Sequence, residues 1–218
     1  TRAVNATSAA TMAAALALLL TPILLYGGVR NVVIFGPPGV GKGTQSKHIA
    51  ERWGLCHVST GDLLRAEVAS GSRRSKRLAA DMKNGVLVPD RVLLRLVRQA
   101  LDGEQCQSSG WLLDGFPRTE AQALAMVRSG LVPHEILVLN ASAAVAAARV
   151  LQRAAAARRA GGAVRADDTE AAVATRLQAY TATQRGVLGA LTSFLRVHVI
   201  DGERAVAQVS GAIDAALE

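Results

Sequence analysis

The chain has 218 residues, half of them hydrophobic and 19% charged, with 25 Lys and Arg against 17 Asp and Glu for a formal net charge of +8. This composition excludes a disordered chain, and the length suffices for one domain with a sizeable core without requiring two. Aromatic residues at 3% argue against a base-stacking nucleic-acid platform, while the positive balance, carried mostly by Arg, fits an anionic partner.

Residues 1–29 form an apolar N-terminal extension with no charge between Ala3 and Val29. Residues 12–20 are strong helix formers, and Pro22 ends or kinks the run before Gly27 and Gly28. Three readings stand side by side: a membrane span or membrane-dipping anchor, an apolar segment packed on a partner in a multi-subunit complex, and a targeting segment.

From Arg30 onward the pattern changes. Residues 31–35 are a short apolar, β-branched run that reads as a buried parallel strand. A Gly-rich turn at 36–43 leads to a helix over 44–53 that closes at Gly54. Strands are expected again at 111–113, 136–139 and 197–200. Helices are expected at 62–69, 74–84, 90–101, 119–128, 142–159, 169–192 and 203–217. The alternation predicts an α/β domain with a parallel central sheet flanked by helices. Asp62 is placed as the N-cap of the helix from Leu63, and His57 as a structural histidine. The Ala-rich run at 154–163 reads as a mobile surface insertion. Cys56 and Cys106 form no CxxC pair. Two buried free thiols are the favoured reading, with a disulfide left open.

The most specific segment is Gly36-Pro37-Pro38-Gly39-Val40-Gly41-Lys42-Gly43-Thr44, between a strand and a helix. Glycines let backbone N–H groups turn inward around an anion. The helix N-terminus adds the positive end of its dipole, and Lys42 can reach the β- and γ-phosphates. Gly43 intervenes before the hydroxyl of Thr44, where the usual phosphate loop has Ser or Thr directly after Lys.

Four further segments follow in order: Ser59-Thr60-Gly61-Asp62-Leu63-Leu64-Arg65, Gly85-Val86-Leu87-Val88-Pro89-Asp90, Leu112-Leu113-Asp114-Gly115-Phe116-Pro117-Arg118-Thr119 and Arg165-Ala166-Asp167-Asp168. With the Gly-Lys-Gly-Thr form of the loop, the chain from about Asn31 onward resembles the adenylate kinase family. The resemblance implies a three-layer P-loop fold over 30–218, with a small monophosphate-binding segment at 59–88 and a short, zinc-free lid at 153–176.

It also implies roles. Gly39, Gly41, Lys42, Gly43 and Thr44 hold the ATP phosphates, and Arg149 lies over the ATP adenine. Thr60, Arg65, Gly115 and the backbone from 85 to Val88 line the AMP site. Arg118 grips the monophosphate and Gln122 reads its adenine. Arg153, Arg165 and Arg176 close on the phosphates from the lid side, positioned by Asp167 and Asp168. Asp114 matches the acid that holds Mg²⁺ through waters.

The implied reaction is Mg-dependent phosphoryl transfer from ATP to AMP, giving two ADP. It needs positioning and charge neutralisation rather than a general base, because the monophosphate oxygen is already an anion. Thr60, Thr119 and Gln122 favour AMP over the alternative of a UMP/CMP kinase. A second alternative is a structural adenylate kinase-like subunit of a membrane-associated assembly. The basic balance and the apolar N-terminus point to an organelle, the mitochondrion first, with membrane association; a cytoplasmic location is the alternative. No nucleic-acid partner is expected, because the basic residues follow the nucleotide motifs.

Overall fold

The structure is a computed structural model that describes residues 30–71, 75–192 and 196–218. The expectations attached to residues 1–29 lie outside the described residues. Among the described residues, no helix is long and apolar enough to cross a membrane.

Five strands make one parallel sheet: β1 (Arg30–Phe35), β2 (Cys56–Ser59), β3 (Gly110–Asp114), β4 (Glu135–Asn140) and β5 (Arg196–Asp201). Their spatial order is β2-β3-β1-β4-β5. The first strand is central, flanked by β3 with Val33 opposite Leu113 and by β4 with Val33 opposite Ile136. Strands this central are covered on both faces, which is why they read as unbroken apolar runs.

The two-residue period of β1 divides the core. Val32 and Ile34 point to one face, where they meet Leu112, Leu137 and Leu139. Two helices cover that face: α1 (Lys42–Trp53) brings Ile49, and α9 (Val206–Leu217) brings Val209, Ile213 and Leu217. Val33 and Phe35 point to the opposite face, with Val58, Leu113, Ile136 and Val138. That larger layer holds α2 (Thr60–Ala69), α3 (Ser75–Lys83), α4 (Asp90–Leu101), α5 (Glu104–Ser109), α6 (Glu120–Arg128) and α8 (Glu170–Thr192). Helix α7 (Ala143–Arg159) buries Ala146, Val150 and Ala154 along one stripe at four-residue spacing.

Several expectations are corrected. Strand β2 and helix α5 fall where no element was expected. The Ala-rich run is not a mobile insertion along its whole length: α7 continues through it to Arg159, and Ala154 is buried. Alanine's helix propensity explains why the helix persists. Helix α2 begins at Thr60, not Leu63, and its N-cap is Ser59, whose Oγ accepts from the Asp62 backbone N–H. Asp62 sits in the first turn instead, paired with Arg65 at 2.5 Å. Cys56 and Cys106 are not free thiols but a disulfide joining β2 to α5, with Cα atoms 4.8 Å apart.

Candidate functional site

The phosphate loop leaves the C-terminal end of β1, the strand at which the sheet order reverses. Open parallel sheets bind ligands at that position. Gly39 shows why the loop needs glycine. Its φ is +87°, and a Cβ there would strike the backbone carbonyl of Ala146 and the side chain of Val150. Helix α1 then starts with no side-chain cap and no acid in its first turn, leaving its positive end available to an anion.

Lys42, the first residue of α1, donates from Nζ to the carbonyl oxygens of Gly36 at 2.7 Å and Pro37 at 2.8 Å. Burial pushes its ammonium down from an ordinary 10.5 to about 8. Asp114 at the end of β3 opposes the shift, while Arg118, Arg176 and Arg153 add to it.

A cavity of about 960 Å³ opens above this loop, a size suited to small-molecule ligands. Nine Lys and Arg side chains line it against four carboxylates, a surplus that only an anionic occupant relieves. Gly39, Gly41, Lys42, Gly43, Thr44, Arg65, Val88, Asp114, Gly115, Arg118, Arg149, Arg153, Arg165 and Arg176 all share this wall. They come from segments up to 137 residues apart: the loop after β1 and the start of α1, the end of β3 and the turn after it, α2, the connection from α3 to α4, α7, the turn before α8, and α8 itself.

Two expected site residues sit behind the wall. Thr60 is fully buried, and its hydroxyl donates to the Asp114 carbonyl at 3.1 Å. Gln122 is 1% exposed. Its Nε2 donates to Asp90 at 2.6 Å, and its Oε1 accepts from the Arg118 backbone N–H at 2.7 Å. Both amide atoms are thus engaged inside the protein.

The arginines are held by named partners. Arg118 donates from Nε to the Gly115 carbonyl at 2.7 Å, and burial together with Arg176 depresses its guanidinium pKa. Arg149 donates to the carbonyls of Gly202 at 2.5 Å and Glu203 at 3.0 Å. Arg153 forks onto Asp168 with contacts of 2.9 and 2.5 Å. Arg176 pairs with Asp167 at 2.8 Å and lies 3.9 Å from the same Asp168. Asp168 is only 3% exposed. Burial, then Arg153 and Arg65, push down the pKa of Arg165.

The donor set fits a magnesium ion coordinated mainly by water and phosphate. Asp114 places one carboxylate in the cavity near Lys42, and Thr44 places a hydroxyl on the same wall. Mg²⁺ in nucleotide sites characteristically takes one or two protein carboxylates and completes its shell with phosphate and water. Among the described residues no group of three or more His, Cys, Asp or Glu could hold a metal by itself.

Sequence reasoning missed part of the wall. Ala179, Tyr180 and Thr183 of α8 line the cavity, and Tyr180 packs on Phe35 with ring centroids 5.3 Å apart. Residues 202–205, between β5 and α9, and Val206 at the start of α9 also line it. The available signal was Gly202 directly after a strand, the same punctuation that marks the phosphate loop.

The adenylate kinase family model matches residues 34–194. An adenylate kinase of Azorhizobium caulinodans is 38% identical over 192 residues, covering 86% of this chain and 98% of the relative. One from Thermosynechococcus vestitus is 37% identical over 189 residues, covering 85% and 95%. A rice protein named probable adenylate kinase 2, chloroplastic, is 42% identical over 123 residues, covering 56% of this chain and 42% of its own length. With a family model spanning most of the length and relatives matched nearly end to end, the chain belongs to the adenylate kinase family.

Proposed function

We infer that the protein is an adenylate kinase, transferring the terminal phosphoryl group of ATP to AMP reversibly to give two ADP. The observation that carries the reading is the single cavity wall that gathers the phosphate loop, Asp114 and six arginines of the recognised motifs. An oxygen of the AMP phosphate forms a bond to the γ-phosphorus as the bond from that phosphorus to the bridging oxygen of departing ADP breaks. Negative charge builds on the transferring group, so the chain's task is to hold two anions in line and neutralise them.

Lys42 and the α1 N-terminus take the ATP phosphates, with Arg149 beside the base. Arg118 and Arg65 take the monophosphate. Arg153, Arg165 and Arg176 converge on the transferring group, with Asp167 and Asp168 aiming the first and last. Mg²⁺, when bound, would be held on the Asp114 carboxylate through water and would supply positive charge that neutralises the nucleotide phosphates. Segments 59–88 and 153–176 are read as the acceptor flap and the lid, whose closure keeps water from accepting the phosphoryl group. Gln122 is anchored behind the AMP wall through one N–H and one lone pair, and its second N–H and second lone pair are what it offers adenine.

The test is steady-state phosphotransfer on the full chain with ATP·Mg²⁺ and AMP, UMP, CMP or GMP. AMP should lead the others by about 10²-fold or more in kcat/KM. UMP or CMP in the lead would make the protein a pyrimidine monophosphate kinase. Absence of any turnover from folded protein would favour the structural-subunit reading.

For location, the uncharged segment before Arg30 and the plant relatives named chloroplastic support an organelle, with the mitochondrion first and membrane association through residues 1–29. A fluorescent fusion of those residues should concentrate in mitochondria. Chloroplast signal would correct the compartment, and a diffuse cytoplasmic signal would overturn the organellar reading.

A further inference from the structure

Helix α3 ends at Lys83, and Gly85 closes it in a tight cap. The Gly85 N–H reaches the Met82 carbonyl at 3.0 Å and the Val86 N–H reaches the Asp81 carbonyl at 2.9 Å. Gly85 takes φ +70°, as such a cap requires. The cap alone does not explain the surroundings. A Cβ at Gly85 would lie 2.6 Å from the Ala172 carbonyl oxygen and 3.0 Å from Cγ of Arg176. The backbone of the acceptor flap is therefore seated directly on the first turns of α8, against the stem of an arginine whose head pairs with Asp167 and approaches Asp168. Asp168 in turn holds Arg153.

We propose that Gly85 is a positioning residue: its bare backbone is the seat through which the acceptor flap sets the Arg176 side chain, so that occupancy of the AMP side and alignment of the Arg176–Asp167/Asp168–Arg153 cluster are coupled. The contact joins two segments about ninety residues apart that face different substrates. A Cβ forces one of three things: the flap lifts, α8 shifts, or the Arg176 stem leaves its rotamer. Each moves the guanidinium, and displacements of about 1 Å at a phosphoryl-transfer site cost up to about 10²-fold in rate.

Gly130 provides a matched control. It ends α6 with the same pair of bonds, from Gly130 to Val127 at 3.0 Å and from Leu131 to Met126 at 3.1 Å. Its φ is +79°, and nothing lies within 4 Å of a Cβ there. Gly130→Ala therefore imposes the backbone strain without the collision. The inference rests on the adenylate kinase reading, and wild-type turnover with AMP, measured first, tests that reading separately.

Gly85→Ala should lower kcat about 10- to 100-fold relative to Gly130→Ala. In an Arg176→Met background, where no guanidinium remains to misplace, the further loss should shrink to about threefold or less. Equal rates for the two glycine variants, or full multiplication of the Gly85 and Arg176 effects, would overturn the proposal. A second comparison does not depend on Gly85→Ala folding. Arg176→Met keeps the Cγ that Gly85 rests on, whereas Arg176→Ala removes it. By calorimetry, AMP should bind about fivefold more weakly to the Ala variant than to the Met variant. Equal affinities would show that the seat transmits nothing.

Discussion

Lys42→Met is expected to lower kcat by about 10³-fold and, in the same protein, to raise the stability of the unliganded fold. The first effect follows from losing the cation that, in the proposed mechanism, meets the phosphates at the start of α1. The second follows from what that cation costs in an empty site. A buried ammonium held near 8 rather than 10.5 destabilises the fold by about 3 kcal/mol. Methionine removes this cost but leaves the Gly36 and Pro37 carbonyls without a donor, at about 1 kcal/mol each. A net gain of about 1–2 kcal/mol remains.

The sign with pH follows from linkage. The folded chain gives up the Lys42 proton near 8, while the unfolded chain keeps it to 10.5. The cost is thus fully present below about pH 8 and disappears as pH rises towards 10.5. In denaturant melts the variant's advantage should be largest at pH 7, shrink above about pH 8 and reverse as pH nears 10.5, where only the two undonated carbonyls still count. A variant no more stable than wild type at pH 7 would contradict the account. In the active enzyme, kcat/KM for ATP should fall above about pH 8 as the ammonium deprotonates, while kcat, measured with phosphates bound, holds to higher pH.

Arg118→Ala should remove the acceptor side of catalysis selectively. Its guanidinium is anchored by the Gly115 carbonyl and crowded by Arg176, an arrangement that is unfavourable until an anion arrives between them. Loss of a bidentate grip on the AMP phosphate should reduce kcat/KM for AMP by about 10³-fold. The affinity for ATP alone should stay within about threefold. Arg118→Lys should restore little, because an ammonium cannot reproduce the planar fork. Equal weakening of ATP and AMP binding would point to general damage at the β3 end and sink the assignment.

The strands around β1 were legible because each carries a continuous apolar run of three or four residues next to a glycine or an acid. The phosphate loop was legible because glycine and lysine spacing encodes a backbone shape. Strand β2 was not, since its four residues include His57 and Ser59 and it borrows its order from β3. Helix α5 spans six mostly polar residues, too few to display a helical period. The placement of Gln122 depends on Asp90, 32 residues away, and the disulfide depends on β2 lying against α5. Neither pairing has a local signature. The order of the five motifs carried the reaction class, whereas which side chains face the cavity and which stand behind it emerged only from packing.

The cystine between Cys56 and Cys106 turns part of the chain into a ring. Inside that ring lie α2, α3 and α4, so the whole excursion proposed as the acceptor flap is bounded by one covalent clasp at the outer border of the sheet. A strap fastened at both ends to a rigid rim can tip as a unit without peeling its anchor away. The clasp also shortens the unfolded chain by closing a span of 50 residues, which by loop entropy alone contributes ~4 kcal/mol. In an oxidising compartment the two ends of the excursion are therefore riveted; in a reducing one they are held by the pairing of β2 with β3 and by packing in the core.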